Sequence, residues 1–235
     1  RAESSLYDAD GGFKQYPGDL YCTGRLFYGN CRPHLYGCRF WSNGIFESVF
    51  IGTVQKVVAG RGEGMRRNEV RIRPDDERLS YSGRIDWSDR EAPVFVYPCT
   101  SVNIRFTGNQ LKIHVENHRV YWNNYLGCIL DGKQFSLPLP EKGEALLEIP
   151  VEQTEREEHE ALFFKRQDAC HEVKILGIEL EDSARLLTPQ KKSERRIEVY
   201  GDSVSAGEVS EAVDFVGCED PAHQGEYSNS WYSYA

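Results

Sequence analysis

Between residues 93 and 181 the chain is broken into short runs in which apolar and polar residues alternate, and each run ends in turn residues. A period of two places every second side chain on one face, so such runs fold as half-buried strands rather than helices. "PVFVYP" (93–98), "SVNIRF" (101–106) and "LKIHV" (111–115) come first. "NYLGCILDGKQFSL" supplies two strands around Asp131-Gly132, one of the stronger short hairpin signals. "TGNQ" (107–110) reads as a second hairpin turn. "EALLEIPV" (144–151), "HEALFFKRQ" (159–167) and "EVKILGIELE" (172–181) complete about eight strands with no convincing helix among them.

Strands of that kind bury their apolar faces by stacking two sheets, so residues 70–185 are expected to form a β-sandwich of jelly-roll type. A polar stretch with Pro189, "DSARLLTPQKKSER" (182–195), reads as a linker. "VYWNNY" (120–125) offers Tyr121, Trp122 and Tyr125 as a platform for a sugar. Strict alternation would put Tyr121 and Trp122 on opposite faces, with core packing favoured over ligand stacking for at least one ring.

The formal net charge of −9 and the lack of a basic stripe argue against a nucleic-acid partner. No run of about 18 apolar residues exists to span a membrane as a helix. Seven cysteines, none in CxxC spacing, give no zinc or redox signature. Cys99, Cys128, Cys170 and Cys218 read as free, mostly buried thiols. No metal or other cofactor is called for.

Residues 1–64 are rich in Gly, Cys and aromatics without sustained periodicity, a poorly defined leader. Met65 is the only methionine, and the codons for "GRGEG" before it would be purine-rich, like a bacterial ribosome-binding site read in frame. Translation is therefore expected to start at Met65, which implies a cytoplasmic protein; a Cys-bearing N-terminal extension is the alternative. "RAESSLYDAD" at the start has no basic-then-apolar secretory pattern.

After the linker, "RRIEVYGDSVSAGEV" (195–209) reads as a short strand running into a glycine-bounded turn, with "EVSEAV" opening a helix. A serine at such a junction exposes its hydroxyl at the rim of a sheet, and its amide can face a developing oxyanion. Asp202, Ser203 and Ser205 are also ordinary helix caps, the plainer reading. "IEVYGDSVSAG" resembles the first block of the SGNH (GDSL) hydrolases. A sandwich ending in "HEALFFKRQDACHEVKILGIELE", followed by that block, is similar to the family 2 carbohydrate esterases. "GRIDW" (83–87), "SVNIRFTGN", "CILDG" (128–132) and "EYSNSWYSYA" carry the resemblance, which runs from about Asp75 to Ala235.

That family implies a jelly roll followed by an α/β SGNH domain, secretion in many members, and removal of acetyl groups from plant polysaccharides such as xylan and glucomannan. It makes Ser203 the nucleophile and one oxyanion donor, with Asp202 bracing the turn and Gly201 and Gly207 shaping it. The family's base histidine lies in later blocks. Residues 194–235 are expected to be an incomplete SGNH domain, inactive alone, because a βαβ unit takes about 30 residues or more. His223 is the single histidine after Ser203 and sits in a polar loop; His114, His118, His159 and His171 read as structural or surface residues. The expected activity of the intact protein is thus serine-dependent deacetylation of a polysaccharide or oligosaccharide. The alternatives are a non-catalytic carbohydrate-binding sandwich and a nonfunctional gene fragment.

Overall fold

The computed structural model describes residues 69–152 and 156–234, together with four short strands between 39 and 58. All belong to one compact unit, Gly37–Ala235. The leader and Met65 readings otherwise lie outside the described residues. In chain order the strands are β1 (Arg39–Ser42), β2 (Ile45–Ser48), β3 (Gly52–Thr53), β4 (Val57–Val58), β5 (Glu69–Ile72), β6 (Ser80–Ser82), β7 (Ile85–Asp86) and β8 (Val94–Phe95). Then come β9 (Ser101–Thr107), β10 (Gln110–His118), β11 (Tyr125–Leu130), β12 (Lys133–Pro138), β13 (Lys142–Pro150), β14 (Glu158–Lys165), β15 (Glu172–Glu181) and β16 (Leu186–Leu187).

β1 and β2 pair with each other, and the others form two sheets. One has the order β4-β13-β10-β15-β8-β7, with β5 also on β15; the other has β16-β9-β14-β11-β12-β3, with β6 also on β9. The alternation read from the sequence sets the core between them. Val102, Ile104 and Phe106 of β9, Leu126 and Cys128 of β11, and Phe163 of β14 enter from one sheet. Leu111, Ile113 and Val115 of β10, Leu147 of β13 and Ile175 and Ile178 of β15 enter from the other. Burial of each such side chain contributes about 1.5–3 kcal/mol. The protein is a mostly antiparallel β-sandwich.

Asp131-Gly132 forms the expected hairpin: Leu130 faces Lys133, and both turn residues have positive φ, 50° and 83°. That is the geometry whose twist matches the flanking strands. "TGNQ" does not make a hairpin. β9 pairs with β14, β16 and β6, whereas β10 pairs with β13 and β15 in the opposite sheet. The turn at Gly108 (φ 99°) carries the chain around the edge of the sandwich, so the two apolar rows meet in the core instead of lying side by side. From β9 to β15 the chain changes sheet at every connection except β11–β12.

β15 holds one register shift against β10. His114 faces Gly177 and Val115 faces Ile175, leaving Leu176 bulged. The extra residue lets Val173, Ile175, Ile178 and Leu180 all stay buried despite the break in their spacing. Gly177 serves the bulge with φ 153°, and a Cβ there would lie 3.1 Å from the Ile72 carbonyl oxygen.

The cysteine expectation needs correction. Cys128 is buried, but Cys99 is half-buried and Cys170 and Cys218 are exposed, because the last two lie on loops rather than on a core face.

Candidate functional site

The polypeptide leaving β16 is held along the sandwich by side chains. Arg105 Nη1 donates to the Thr188 carbonyl (3.0 Å), Gln190 Nε2 to Glu160 (3.1 Å), Lys192 to the Tyr81 carbonyl, and Arg84 to the Tyr200 hydroxyl (3.2 Å). The strand expected at 196–200 is not formed: these residues pair with no other strand among those described. Ile197 is 87% exposed, and Val199 and Tyr200 are exposed as well. A strand exists only where neighbouring backbone takes its N–H and C=O groups, and here the neighbours are side chains.

The turn that follows is closed by its own backbone. Ala206 N–H donates to the Asp202 carbonyl, Gly207 N–H to Val204 and Glu208 N–H to Ser203, each at 3.0 Å. Asp202 Oδ1 accepts the Val204 amide at 3.1 Å. At Gly201 a Cβ would stand 2.5 Å from Ser205 Cβ, so a side chain there would have to push Ser205 aside. Gly207 is buried with φ 72°, a conformation glycine adopts without strain. Ser203 is exposed at the tip, and among the described residues neither its amide nor its hydroxyl is engaged in a hydrogen bond.

"EVSEAV" does not open a helix. Val209 has φ 47°, and the chain bends so that Val209 N–H meets Ser228 Oγ (3.2 Å) and Glu211 N–H meets the Tyr227 carbonyl (2.9 Å). A 3₁₀ turn at Val213–Phe215 and the short helices α1 (Gln224–Tyr227) and α2 (Ser230–Tyr234) follow.

No histidine is hydrogen-bonded to Ser203 among the described residues. His223 is exposed at the start of α1, its carbonyl taking the Glu226 amide. His159 is buried, its Nδ1 2.6 Å from Asp131 Oδ2. His171 is buried beside Tyr121, and its Nδ1 accepts the Val120 amide at 3.3 Å. His114 meets Glu144 at the surface, and His118 is exposed.

Residues 119–124 are a loop rather than a strand, so alternation does not govern them. Tyr121 turns inward, its hydroxyl on Asp168, while Trp122 stands 42% exposed on left-handed backbone (φ 46°) with its ring edge-on to Tyr121.

Sequence reasoning missed Arg166. Just beyond β14, it is 1% exposed and reaches into the segment after the serine turn. Its Nε donates to the Ser228 carbonyl (3.0 Å), and its Nη2 to Glu211 Oε2 (2.5 Å) and the Glu226 carbonyl (3.3 Å). Around it, Ser230 Oγ donates to the Lys165 carbonyl (2.7 Å), Trp231 packs on Phe164 (5.4 Å between centroids), and Gln167 Nε2 donates to the Asn123 carbonyl.

Among the described residues no helix is long and apolar enough to cross a membrane, and no cluster of three or more His, Cys, Asp or Glu is placed to hold a metal ion.

The fold and this site define a class: an antiparallel β-sandwich whose departing polypeptide presents a solvent-facing serine in a Gly-Asp-Ser turn. Residues 81–189 match the family model described as Carbohydrate esterase 2 N-terminal. The chain is 26% identical over 168 residues to the cellulase/esterase CelE of Acetivibrio thermocellus. The match takes in 69% of this chain and 19% of CelE. A family two carbohydrate esterase from Clostridium thermocellum, solved in complex with cellohexaose, superposes with a TM-score of 0.57 at 25% identity. That superposition covers 67% of this chain and 46% of the esterase. A family two esterase from Cellvibrio japonicus shares the fold, with a TM-score of 0.59, 23% identity, and 71% and 47% of the two chains covered. The chain thus spans about a fifth of CelE and under half of each of these solved esterases.

Proposed function

We propose that this chain is the front portion of a carbohydrate O-acetyl esterase, with residues 70–185 as its sandwich domain and 194–235 as the opening of its SGNH hydrolase domain. The observation that carries the reading is the exposed Gly201-Asp202-Ser203 turn placed directly behind the residues that match the Carbohydrate esterase 2 N-terminal model. In this reading Ser203 Oγ attacks the acetyl carbonyl carbon and gives up its proton to a base supplied from outside the described residues. The sugar oxygen leaves with a proton, giving an acetyl-serine ester. Water then cleaves that ester, releasing acetate and restoring the hydroxyl. The Ser203 amide faces the carbonyl oxygen as negative charge gathers there. Asp202, by holding the Val204 amide, and Gly201 and Gly207, by admitting the tight turn, keep the serine at the tip.

The proposed substrates are acetylated plant polysaccharides of the xylan or glucomannan type and their oligosaccharides. Support for a glycan comes from the cellohexaose bound by the Clostridium thermocellum esterase. The test is aryl-acetate and acetyl-xylan hydrolysis by the complete encoded protein, with and without Ser203→Ala. Loss of acetate release in the variant is expected; equal hydrolysis by both proteins overturns the mechanism.

One observation favours a second reading, a non-catalytic glycan-binding sandwich: Trp122 is exposed where a pyranose ring could stack. Titration of the 235-residue chain with xylohexaose, before and after Trp122→Ala, separates it from the first.

A further inference from the structure

We propose that Arg166, a residue of the sandwich, is a positioning residue for the Ser203 turn, acting through Glu211 and Asn229. The proposal rests on the esterase reading for its catalytic consequence.

A guanidinium that is almost wholly buried needs a paired charge and filled hydrogen bonds, because removing it from water is otherwise very unfavourable. Glu211 provides the charge. One of its oxygens takes Arg166 Nη2 at 2.5 Å; the other takes Asn229 Nδ2 at 2.7 Å. The carboxylate is therefore fixed from both sides, and a planar fork is suited to such fixing where an ammonium is not. Asn229, fully buried, then donates its backbone amide to the Gly207 carbonyl at 2.9 Å.

Gly207 is the closing residue of the serine turn, bonded through its own amide to Val204, and its neighbour Glu208 bonds to the Ser203 carbonyl. An unbroken path of short contacts thus runs from the end of β14 to the nucleophile. Arg166 also binds the carbonyls of Ser228 and Glu226, and its own carbonyl takes the Ser230 amide at 2.8 Å. The two segments flanking the path, 207–211 and 226–230, are both anchored at this one side chain.

From the other direction the exposed stretch 196–200 meets the sandwich through surface contacts of Arg84 with Tyr200 (3.2 Å) and Glu198 (3.7 Å), which water screens. The position of Ser203 relative to the rest of the molecule is accordingly set by the sandwich. On this view the sandwich is a structural part of the catalytic apparatus, not an appended module.

Two experiments test the proposal together. In the first, amide hydrogen exchange is measured on the 235-residue chain for wild type, Arg166→Met and Glu211→Gln. Exchange at Gly207–Glu211 and Asn229 is expected to accelerate at least about tenfold in both variants, while β9–β15 stay protected. In the second, aryl-acetate kinetics are measured on the complete encoded protein. Glu211→Gln keeps the shape of the side chain and loses its charge. It should lower kcat by about ten- to a hundredfold with KM within about twofold, the pattern of a displaced nucleophile. Combining it with Arg166→Met should add little further.

Should Arg166→Met fail to fold, Glu211→Gln decides alone. Unchanged exchange in 207–211, or wild-type kcat in Glu211→Gln while Ser203→Ala is inactive, overturns the positioning role and leaves the esterase reading standing. Activity that survives Ser203→Ala overturns the esterase reading instead, and the exchange data still report whether Arg166 holds the turn.

Discussion

The ring of Phe164 occupies the place where Gly127 would carry a side chain: a Cβ on Gly127 would lie 2.2 Å from Phe164 Cζ. The two residues face each other across the β11–β14 ladder, and Phe164 packs in turn on Trp231. A glycine in the middle of a strand is normally unfavourable. Here it lets the outer end of a bulky ring take the space of a Cβ while the ring packs on Trp231, in the segment beyond the serine turn.

Gly127→Ala should therefore displace Phe164 and be felt at Trp231. The expected destabilisation is about 1–3 kcal/mol, the usual range for overpacking. Urea unfolding measures it, and a shift in tryptophan emission reports the altered contact with Trp231.

The Asp131 carboxylate carries the β11–β12 turn. Burial pushes its pKa up, but the His159 ring, the Glu160 amide and Arg156 outweigh burial and hold it below the usual carboxylate range. A depressed folded-state pKa means the contribution is complete above the unfolded value of about 3.9 and is lost as pH falls through the lower folded value. Asp131→Asn keeps a residue that tolerates positive φ and should flatten the acid limb of the stability curve. Asp131→Ala should cost about 1–3 kcal/mol at neutral pH as well, since it also forces a side chain that disfavours φ 50° into the turn. Chemical unfolding from pH 2 to 7, on the order of ten points, would distinguish the two.

His171 answers to pH in a higher window. Burial, aided by the charge of Lys165, lowers its pKa to about 4, so the folded protein holds it neutral. The unfolded chain takes up a proton near pH 6.5, and stability should fall as pH drops from there toward 4. Lys165 is itself lowered to about 7 by burial, its ammonium donating to the Gln167 carbonyl at 2.9 Å. Lys165→Met removes the positive neighbour and should raise the His171 pKa, leaving the burial contribution in place. An NMR titration of the imidazole Cε1–H would show an unmoved pKa if the two side chains were uncoupled.

Trp122 sits in a conformation that costs a non-glycine residue on the order of 1–3 kcal/mol. Trp122→Gly relieves that cost and gains chain freedom in the unfolded state, so net stability should change by no more than about 1 kcal/mol. The esterase reading expects aryl-acetate hydrolysis by the complete protein to stay within about twofold of wild type. A large loss of xylohexaose binding in the same variant would favour the glycan-binding sandwich.

The strands were legible because their signal is local. Val102-Ile104-Phe106 and Leu111-Ile113-Val115 alternate, and Asp131-Gly132 can turn in few other ways. What eluded the sequence depends on partners. Nothing in "TGNQ" says whether the next strand returns beside the last or crosses to the facing sheet. "RRIEVY" has the pattern of a strand, yet it has no ladder among the described residues to join.

Around the serine, Gly201 and Gly207 could be read from the chemistry of a tight turn. Arg166 could not, because in "FFKRQD" it looks like the solvated end of a strand. The available clue was that two aromatics lead straight into it, and Phe163 and Phe164 are both buried. Val209 was misread for a similar reason. Its pull out of helical geometry comes from Ser228, which is remote in sequence.

The pairing of β5 with the far end of β15 has a consequence for synthesis. Glu69–Ile72 is made before every intervening strand and its partner Ile178–Glu181 only after them. The sandwich therefore closes late and around remote segments, a topology associated with slow, non-local folding. By the time β5 is captured, the nascent polypeptide is about to deliver the Gly201-Asp202-Ser203 turn, so that turn and its supporting framework mature almost together.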